Sequence, residues 1–287
     1  MTYRLLLNYQ ETYQEIYMLK IGVIGCGAIG ARICKAIDTG NINAQLVAIY
    51  DRSSEHCENL FKSLENKPVI ARPLELISKA DIVVECASQA AVRELGLSVL
   101  ERGKDLMVMS VGALMDPDLL KEFILAARKN DCRIYAPSGA IAGIDGLKSA
   151  SIATIDKVVL STTKNPKGLS GAPFIVENNI DLSSFYEKTL IFEGNAKEAV
   201  RSFPANVNVA ASLSLAGIGA EKTHVKVFVD PEATRNIHEI TVIGDFGMFT
   251  SRIENVPSPD NPRTSLLAAL SAIATLKKIT EPLQIGT

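Results

Sequence analysis

Three glycines form the clearest functional pattern in this sequence. Gly25, Gly27 and Gly30 give the spacing Gly-x-Gly-x-x-Gly directly after an apolar run. In such a loop the first glycine makes a sharp turn, the second lets the backbone approach a pyrophosphate, and the third lets a helix pack closely on its strand. The backbone N–H groups of Ala28 and Ile29 and the positive end of the helix dipole would then face the phosphates. The pattern therefore predicts a dinucleotide-binding loop.

An acidic residue follows these glycines at the distance expected for a ribose ligand. Asp51 ends a second apolar strand pattern at 45–50. An acidic residue about 20 positions beyond the glycines commonly binds the ribose hydroxyls, which favours NAD. Arg52 lies beside it and offers a positive charge to the 2′-phosphate of NADP. We therefore expect a preference for NAD that does not exclude NADP.

Three histidines are candidates for proton transfer, because an imidazole with a pKa near 6.5 suits acid–base work at neutral pH. His56 lies in a charged segment just after Asp51, which indicates a solvated position. His224 alternates with Lys226 on the polar side of a strand pattern, which indicates a surface or edge position. His238 lies among isoleucine and valine, and those neighbours alone favour a buried core histidine over a catalytic one.

These residues need a scaffold, and the first half of the chain predicts one in which strands and helices alternate. Helical patterns separate apolar strand patterns at 19–24, 45–50, 81–86, 105–110 and 132–136. This alternation indicates a parallel sheet with right-handed crossovers, whose ligands bind at the carboxyl ends of the strands. We therefore expect these strand ends to converge near the nicotinamide: Ala87, Ser88 and the turns at 110–112 and 137–140.

After Ala140 strands outnumber helices. Strand patterns occur at 158–163, 189–193, 223–229, 236–243 and 247–253, with helical patterns at about 141–150 and 195–215. The sequence Gly244-Asp-Phe-Gly247 has the form of a hairpin turn. The predicted fold class is therefore α/β, with a Rossmann-type doubly wound parallel sheet and a second, mostly antiparallel α+β domain. An apolar helix at 262–276 closes the chain, and we expect it to pack back on the first domain.

These patterns predict a division of the chain into four parts. A leader at 1–17, disordered or upstream of the true start at Met18, precedes a dinucleotide-binding domain at 18–137. A substrate and dimerisation domain follows at 138–260, and a C-terminal helix lies within 261–287. We expect a homodimer, because a mostly antiparallel sheet presents a face or an edge that must be covered.

Composition excludes several classes of protein. The 287 residues are 47% hydrophobic and 22% charged, as in an ordinary soluble enzyme, and the net charge of −2 argues against binding to nucleic acid or to an anionic membrane. No apolar run reaches the roughly 18 residues that span a bilayer. The five cysteines have no metal-ligand spacing, so we expect no metal site and a reducing, cytoplasmic location.

Four separated motifs resemble those of the L-aspartate dehydrogenases. They are Pro137-Ser-Gly-Ala-Ile-Ala-Gly-Ile-Asp145, Phe203-Pro-Ala-Asn-Val-Asn-Val-Ala-Ala211, Asn236-Ile-His-Glu-Ile240 and Asn261-Pro-Arg-Thr-Ser265. The resemblance runs from Met18 to about Leu283. Ala142 departs from it, since the family commonly has glycine there, and this change is expected to narrow the pocket slightly. The leader before Met18 has no counterpart in the family.

This resemblance implies an enzyme that uses NAD or NADP to oxidise L-aspartate reversibly to iminoaspartate, which water converts to oxaloacetate and ammonia. It also implies that the imine is a source for NAD synthesis. It assigns His238 as the catalytic histidine, which reverses the interpretation from its neighbours alone, and it implies that Ala140 and Asn208 contact the cofactor. Substrate-binding candidates are Lys164, as a cation for one of the two carboxylates, with Ser138 and Asn206 in the shared motifs.

Two alternatives to this function are considered. A dihydrodipicolinate reductase has a similar two-domain plan, but its histidine pair and its Lys-Pro-Ser-Gly-Thr motif are missing, and the related stretch here is Ala136-Pro-Ser-Gly-Ala140. A non-catalytic NAD(H)-sensing protein is expected to carry a DNA-binding or effector-binding module, and the sequence has neither a basic helix nor a third domain. A screen of amino acids for NAD(P) reduction separates the three functions.

Overall fold

The computed structural model of the chain describes residues 18–204, 207–258 and 261–287. The predicted leader at 1–17 and the candidate Asn206 lie outside these residues. Within the described ranges the chain forms a six-stranded sheet, a five-stranded sheet and a short two-stranded one. No helix in these ranges is long and apolar enough to cross a membrane.

The first sheet is parallel throughout, as the alternation of strands and helices predicts. Its spatial order is β3-β2-β1-β4-β5-β6, the doubly wound order in which the glycine loop follows the first strand near the centre. The strands are β1 (Leu19–Ile24), β2 (Ala44–Tyr50), β3 (Val69–Ile70), β4 (Ile82–Glu85), β5 (Asp105–Val108) and β6 (Ile134–Tyr135). The helices are α1 (Ala28–Asp38), α2 (Ser54–Ser63), α3 (Pro73–Lys79), α4 (Gln89–Glu101) and α5 (Pro117–Lys129), with a 3-10 turn at Val111–Met115.

Helices cover both faces of this sheet, so its central strands are buried on both sides. Every residue of β4 is buried, including the carboxylate-bearing Glu85 at its end. On one face Val84 packs with Ile33 of α1, and on the other Val83 packs with Phe123 of α5. A run of apolar residues without alternation is the pattern that such a strand requires.

The second sheet is mixed, in the order β11-β10-β7-β9-β8. Three of its four pairings are antiparallel and one, between β7 and β9, is parallel. Its strands are β7 (Ile155–Lys164), β8 (Thr189–Asn195), β9 (Thr223–Val229), β10 (Asn236–Gly244) and β11 (Gly247–Asn255). Its helices are α6 (Ile144–Ala150), α7 (Pro166–Leu169), α8 (Pro173–Glu177), α9 (Ala196–Ser202) and α10 (Val207–Ala216), with a 3-10 turn at Leu182–Ser184. The mostly antiparallel second domain and the hairpin at Gly244–Gly247 were therefore predicted correctly.

The two faces of this second sheet differ. Val225, Val227 and Val229 of β9 point to the inner face, where they pack with residues of α9 and α10. Residues between them along the strand point to the opposite, outer face, where β10 leaves Glu239 and Thr241 partly exposed. The inner face is therefore the one on which a buried site can form.

Two helix predictions need correction. The helical pattern at 195–215 forms two helices, α9 and α10. The closing helix does not begin at 262, because Asn261–Ser265 forms strand β13, which pairs with β12 (Pro257–Ser258). Helix α11 (Leu266–Thr280) begins after Ser265, whose hydroxyl accepts a hydrogen bond from Leu267 N and caps the helix. Its Ala272 and Leu276 lie in the core of the first sheet.

Candidate active site

The glycine loop has the geometry that a pyrophosphate requires. Gly25 has a φ of +100°, which favours glycine, and a Cβ on Gly30 would collide with the Gly25 carbonyl oxygen, so α1 packs directly on the turn. Beside Gly27 a Cβ would meet no described atom within 4 Å. Helix α1 begins at Ala28, and the N–H groups of its first turn have no partner within the helix. The loop therefore fits a dinucleotide phosphate.

Asp51 lies at the end of β2 beside this loop, as predicted. Its carboxylate accepts hydrogen bonds from Cys26 N at 2.8 Å and from Ser53 N at 2.9 Å. The Nδ1 atom of His56, on an exposed side chain, lies 3.6 Å away. Arg52 is exposed. Asp51 therefore joins the glycine loop to the start of α2, with Arg52 next to it on the surface.

A buried carboxylate that the sequence analysis did not single out holds the next two strand ends together. Glu85 Oε1 accepts hydrogen bonds from Ala87 N and Ser88 N, both at 2.7 Å, and from Ser110 Oγ at 2.9 Å. Its Oε2 accepts a hydrogen bond from Ser110 N at 3.0 Å. Ser88 also caps α4 through Ala91 N. The predicted strand ends at Ala87, Ser88 and Ser110 thus meet through one side chain.

Hydrogen bonds join these strand ends to the second half of the chain. Asn208 Oδ1, at the start of α10, accepts a hydrogen bond from Gly112 N at 3.0 Å. The Ala140 carbonyl accepts one from Asn255 Nδ2 at 2.9 Å. Ser138 and Ala140 are half-buried in the turn after β6. Gly139 N, between them, donates to Ser271 Oγ of α11 at 3.0 Å.

His238 is buried on the inner face of the second sheet. It is 5% exposed, and its Nδ1 lies 3.0 Å from the hydroxyl of Thr162, which pairs with it across β10 and β7. Two causes lower the pKa of His238 to about 3: burial, which is the larger, and the positive charge of Lys164. The imidazole is therefore neutral at physiological pH, and Thr162 fixes its orientation.

Lys164 lies on the same inner face, two residues beyond Thr162 on β7. It is 8% exposed, so it is not the solvated lysine that usually ends a strand. Burial lowers the pKa of its ammonium group to about 8. Among the described residues no carboxylate forms an ion pair with it. A buried cation without an anionic partner beside a neutral imidazole suits an anionic ligand.

His224 is excluded from this group by its position. Its Nε2 lies 2.8 Å from Glu193, which also pairs with Lys226 at 3.1 Å. These side chains lie on the outer face, opposite to His238. The two histidines lie on strands that are not neighbours, although they follow each other along the chain, because β7 lies between β9 and β10.

Sequence analysis missed two polar residues of the site, Glu85 and Thr162. Each is a polar residue that follows an apolar run within a strand, and that position was the signal that could have identified it. Glu85 ends the run Ile-Val-Val-Glu, and Thr162 follows the apolar run Val-Val-Leu within strand β7 at a buried position. A polar side chain in a buried strand must find hydrogen-bond partners, so each position indicated a local network. The identity of those partners depends on strand order, which the pattern of one strand does not contain.

Comparisons with known proteins match each half of the chain to a family. Residues 25–137 match the family described as homoserine dehydrogenase, NAD binding domain, and residues 145–279 match aspartate dehydrogenase, C-terminal. Among the described ranges no group of three or more histidine, cysteine, aspartate or glutamate residues is arranged to hold a metal ion.

Relatives that resemble the chain over nearly its whole length carry one name. An L-aspartate dehydrogenase from Methanococcoides burtonii is 58% identical over 94% of this chain and 100% of its own length, and one from Nitrosopumilus maritimus is 48% identical over the same shares. The crystal structure of aspartate dehydrogenase from Thermotoga maritima superimposes with a TM-score of 0.73 at 28% identity, covering 94% of this chain and all of the other. By these matches, the chain belongs to the L-aspartate dehydrogenase family.

Proposed function

We propose that this chain oxidises L-aspartate with NAD or NADP, forming iminoaspartate that water converts to oxaloacetate and ammonia, in a reversible reaction. The observation that carries this function is the 58% identity to an L-aspartate dehydrogenase over 94% of the chain. That length includes the glycine loop, the strand ends and the buried pair of Lys164 and His238. The dihydrodipicolinate reductase and NAD(H)-sensor alternatives have no comparable support.

The cofactor is assigned to the glycine loop and the strand ends beside it. When bound, the nicotinamide ring takes a hydride from Cα of aspartate. Gly25, Gly27 and Gly30, with the first turn of α1, hold the pyrophosphate, and Asp51 accepts hydrogen bonds from the ribose. We assign the remaining contacts to the groups at the strand ends and at the start of α10: Arg52, Ala87, Ser88, Ala140 and Asn208.

His238 is assigned the proton transfer. If Nδ1 carries the proton and donates it to Thr162 Oγ1, then Nε2 keeps its lone pair and acts as a base. That nitrogen takes the proton released by the substrate amine or by the water that attacks the imine. A pKa of about 3 is low for such a base, but a bound dicarboxylate places negative charge near the imidazole and raises the pKa toward the useful range.

Lys164 is assigned to a substrate carboxylate. Its ammonium group is buried and has no anionic partner among the described side chains, so a carboxylate there restores the interactions that burial removed. The same carboxylate offsets the charge of Lys164 that His238 experiences. Ser138, half-buried in the turn after β6, and Asn206 remain further candidates for substrate contacts.

The substrate test incubates the protein with a panel of amino acids and each cofactor. The quantity measured is the rate at which the reduced nicotinamide forms. We expect L-aspartate to exceed L-alanine by several powers of ten in kcat/KM, because L-alanine leaves the buried cation unpaired. L-homoserine is the sharpest control, since residues 25–137 match a homoserine dehydrogenase domain. Equal turnover of L-homoserine and L-aspartate would contradict the function.

A homodimer is proposed from the outer face of the second sheet. Thr241 and Glu239 of β10 lie there partly exposed, and Arg252 of β11 lies 3.7 Å from Glu239. A second copy of the chain would cover this face with a self-complementary surface. Light scattering of Thr241→Arg tests this, with Glu58→Arg on exposed α2 as the control. A wild-type monomer that is fully active contradicts it.

A cytoplasmic location is also proposed. It rests on the five cysteines, which are free thiols. Cys26 and Cys57 lie with their sulfur atoms 3.7 Å apart without a bond. A reducing compartment keeps such a pair as thiols.

A further inference from the structure

Glu85 is a buried carboxylate to which the proposed mechanism gives no role. It is 3% exposed and follows three residues of β4, Ile82, Val83 and Val84, that are fully buried. Yet it receives four hydrogen bonds between 2.7 and 3.0 Å, three of them from backbone N–H groups. The backbone here is arranged to bind a carboxylate, because leaving any of these buried donors unpaired would cost free energy.

The four donors indicate that this group carries a negative charge. Burial raises the pKa of the carboxyl above its usual value, and the hydrogen bonds from Ser110, Ala87 and Ser88 offset only part of that rise, so the case for ionisation rests on the geometry of the donors. A protonated acid would direct its own hydrogen toward groups that already donate, so the ionised form fits the geometry better. Among the residues that the structure describes, no lysine or arginine forms an ion pair with Glu85. Within the described part of the chain, the charge is therefore stabilised by these four hydrogen-bond donors rather than by a cationic side chain.

The position of Glu85 places this charge at the edge of the sheet that serves the cofactor. It is aligned with Ile24 on β1, the residue directly before Gly25, and with Val108 on β5. The backbone segments that it holds are the ends of β4 and β5. The second of these continues to Gly112, which bonds to Asn208 of α10. One side chain thus sets the relative positions of the loops opposite the glycine turn.

We propose that Glu85 is a positioning residue of the cofactor site and that its charge makes the site favour the oxidised nicotinamide over the reduced one. This rests on the proposed function, because it assumes that a nicotinamide lies at these strand ends. The oxidised ring carries a positive charge and the reduced ring is neutral. A fixed negative charge, little screened by water, attracts only the first of them.

The test compares dissociation constants for NAD⁺ and NADH in wild type and in Glu85→Gln, measured by calorimetry without substrate. Glutamine keeps the shape and one acceptor oxygen but removes the charge. Unit charges roughly 10 Å apart at an effective dielectric of about 20 change affinity by about tenfold. We therefore expect the ratio of the NAD⁺ to the NADH dissociation constant to rise by about tenfold. Ser110→Ala, which removes one hydrogen bond and no charge, should move this ratio by less than about twofold.

An unchanged ratio in folded Glu85→Gln overturns the proposal. If that variant does not fold, Glu85→Asp decides, because it keeps the charge and shortens the side chain. Both affinities should then weaken together, and a selective loss of NAD⁺ affinity in Glu85→Asp overturns the proposal. Failure of the proposed function looks different: a wild type that binds both cofactors but does not oxidise L-aspartate leaves the charge effect intact, and one that binds neither removes both.

Discussion

Acid should destabilise this protein because the buried His238 resists protonation in the folded state. A variant that lacks this histidine measures its share of the loss in stability. Below pH 6.5 the unfolded chain protonates this histidine, whereas the folded chain does so only near pH 3. The unfolded state therefore binds more protons in this window. Stability from the neutral imidazole is fully present above about pH 6.5 and is lost as the pH falls toward 3. The full loss is about 5 kcal/mol, because each pKa unit corresponds to about 1.4 kcal/mol.

Between about pH 7.5 and pH 5 this difference in proton binding lowers the free energy of unfolding by about 2 kcal/mol. The perturbation is His238→Asn, which keeps a side-chain group at the position of Nδ1 next to Thr162 but does not titrate. Lys164 adds little slope in this range, because its folded pKa of about 8 lies just above the upper limit and its unfolded pKa of 10.5 lies well above it. Other groups titrate equally in the two proteins and cancel in the difference.

The assay is urea unfolding followed by circular dichroism, since the chain has no tryptophan. Wild type should lose about 2 kcal/mol more than His238→Asn when the pH is lowered from about 7.5 to 5. Equal losses in the two proteins would refute the inference that His238 is held neutral by its surroundings.

Four further predictions concern activity and inhibition. His238→Ala should lower kcat by roughly 10²–10⁴ with NAD binding retained, whereas His224→Ala, on the outer face, should cost little; the reverse result in steady-state kinetics would exchange their roles. Asp51→Ser should shift the ratio of kcat/KM for NAD over NADP by about tenfold or more toward NADP, and an unchanged ratio removes Asp51 from the ribose site. Lys164→Met should raise KM for L-aspartate by about tenfold or more, but not KM for NAD, with exposed Lys167→Met as the control. Inhibition by succinate should weaken in wild type as the pH rises through about 8, where Lys164 loses its charge, and a flat profile would contradict this assignment.

The parts of the fold that the sequence predicted are those determined by neighbours along the chain. Gly25 and Gly30 are required by a single turn and the helix that follows it, so their spacing identifies the loop. Asp51 follows its strand directly, and its backbone partner Cys26 lies in the loop beside that strand. Alternation of strands and helices likewise predicts a parallel sheet without any knowledge of distant contacts.

Strand order in the second sheet could not be predicted in this way. Because β7 lies between β9 and β10, Thr162 becomes the partner of His238, and β9 with His224 is set one strand further away. The alternation within each strand places His238 and His224 correctly on opposite faces but does not say which strands are neighbours. The start of α11 was also missed, because the helical pattern continues upstream of Ser265, where pairing with β12 forms a strand instead.

Helix α11 has a consequence for how the chain is made. Its Ala272 and Leu276 complete the core around Ile33 and Ile37 of α1, although more than 200 positions of sequence separate them. During synthesis the first sheet therefore emerges with an apolar surface that stays open until α11 leaves the ribosome. A fragment ending at 137 should expose that surface and aggregate. The two halves of this protein are thus expected to mature together, and a chaperone that shields the uncovered face of α1 would act on the nascent chain until α11 has been made.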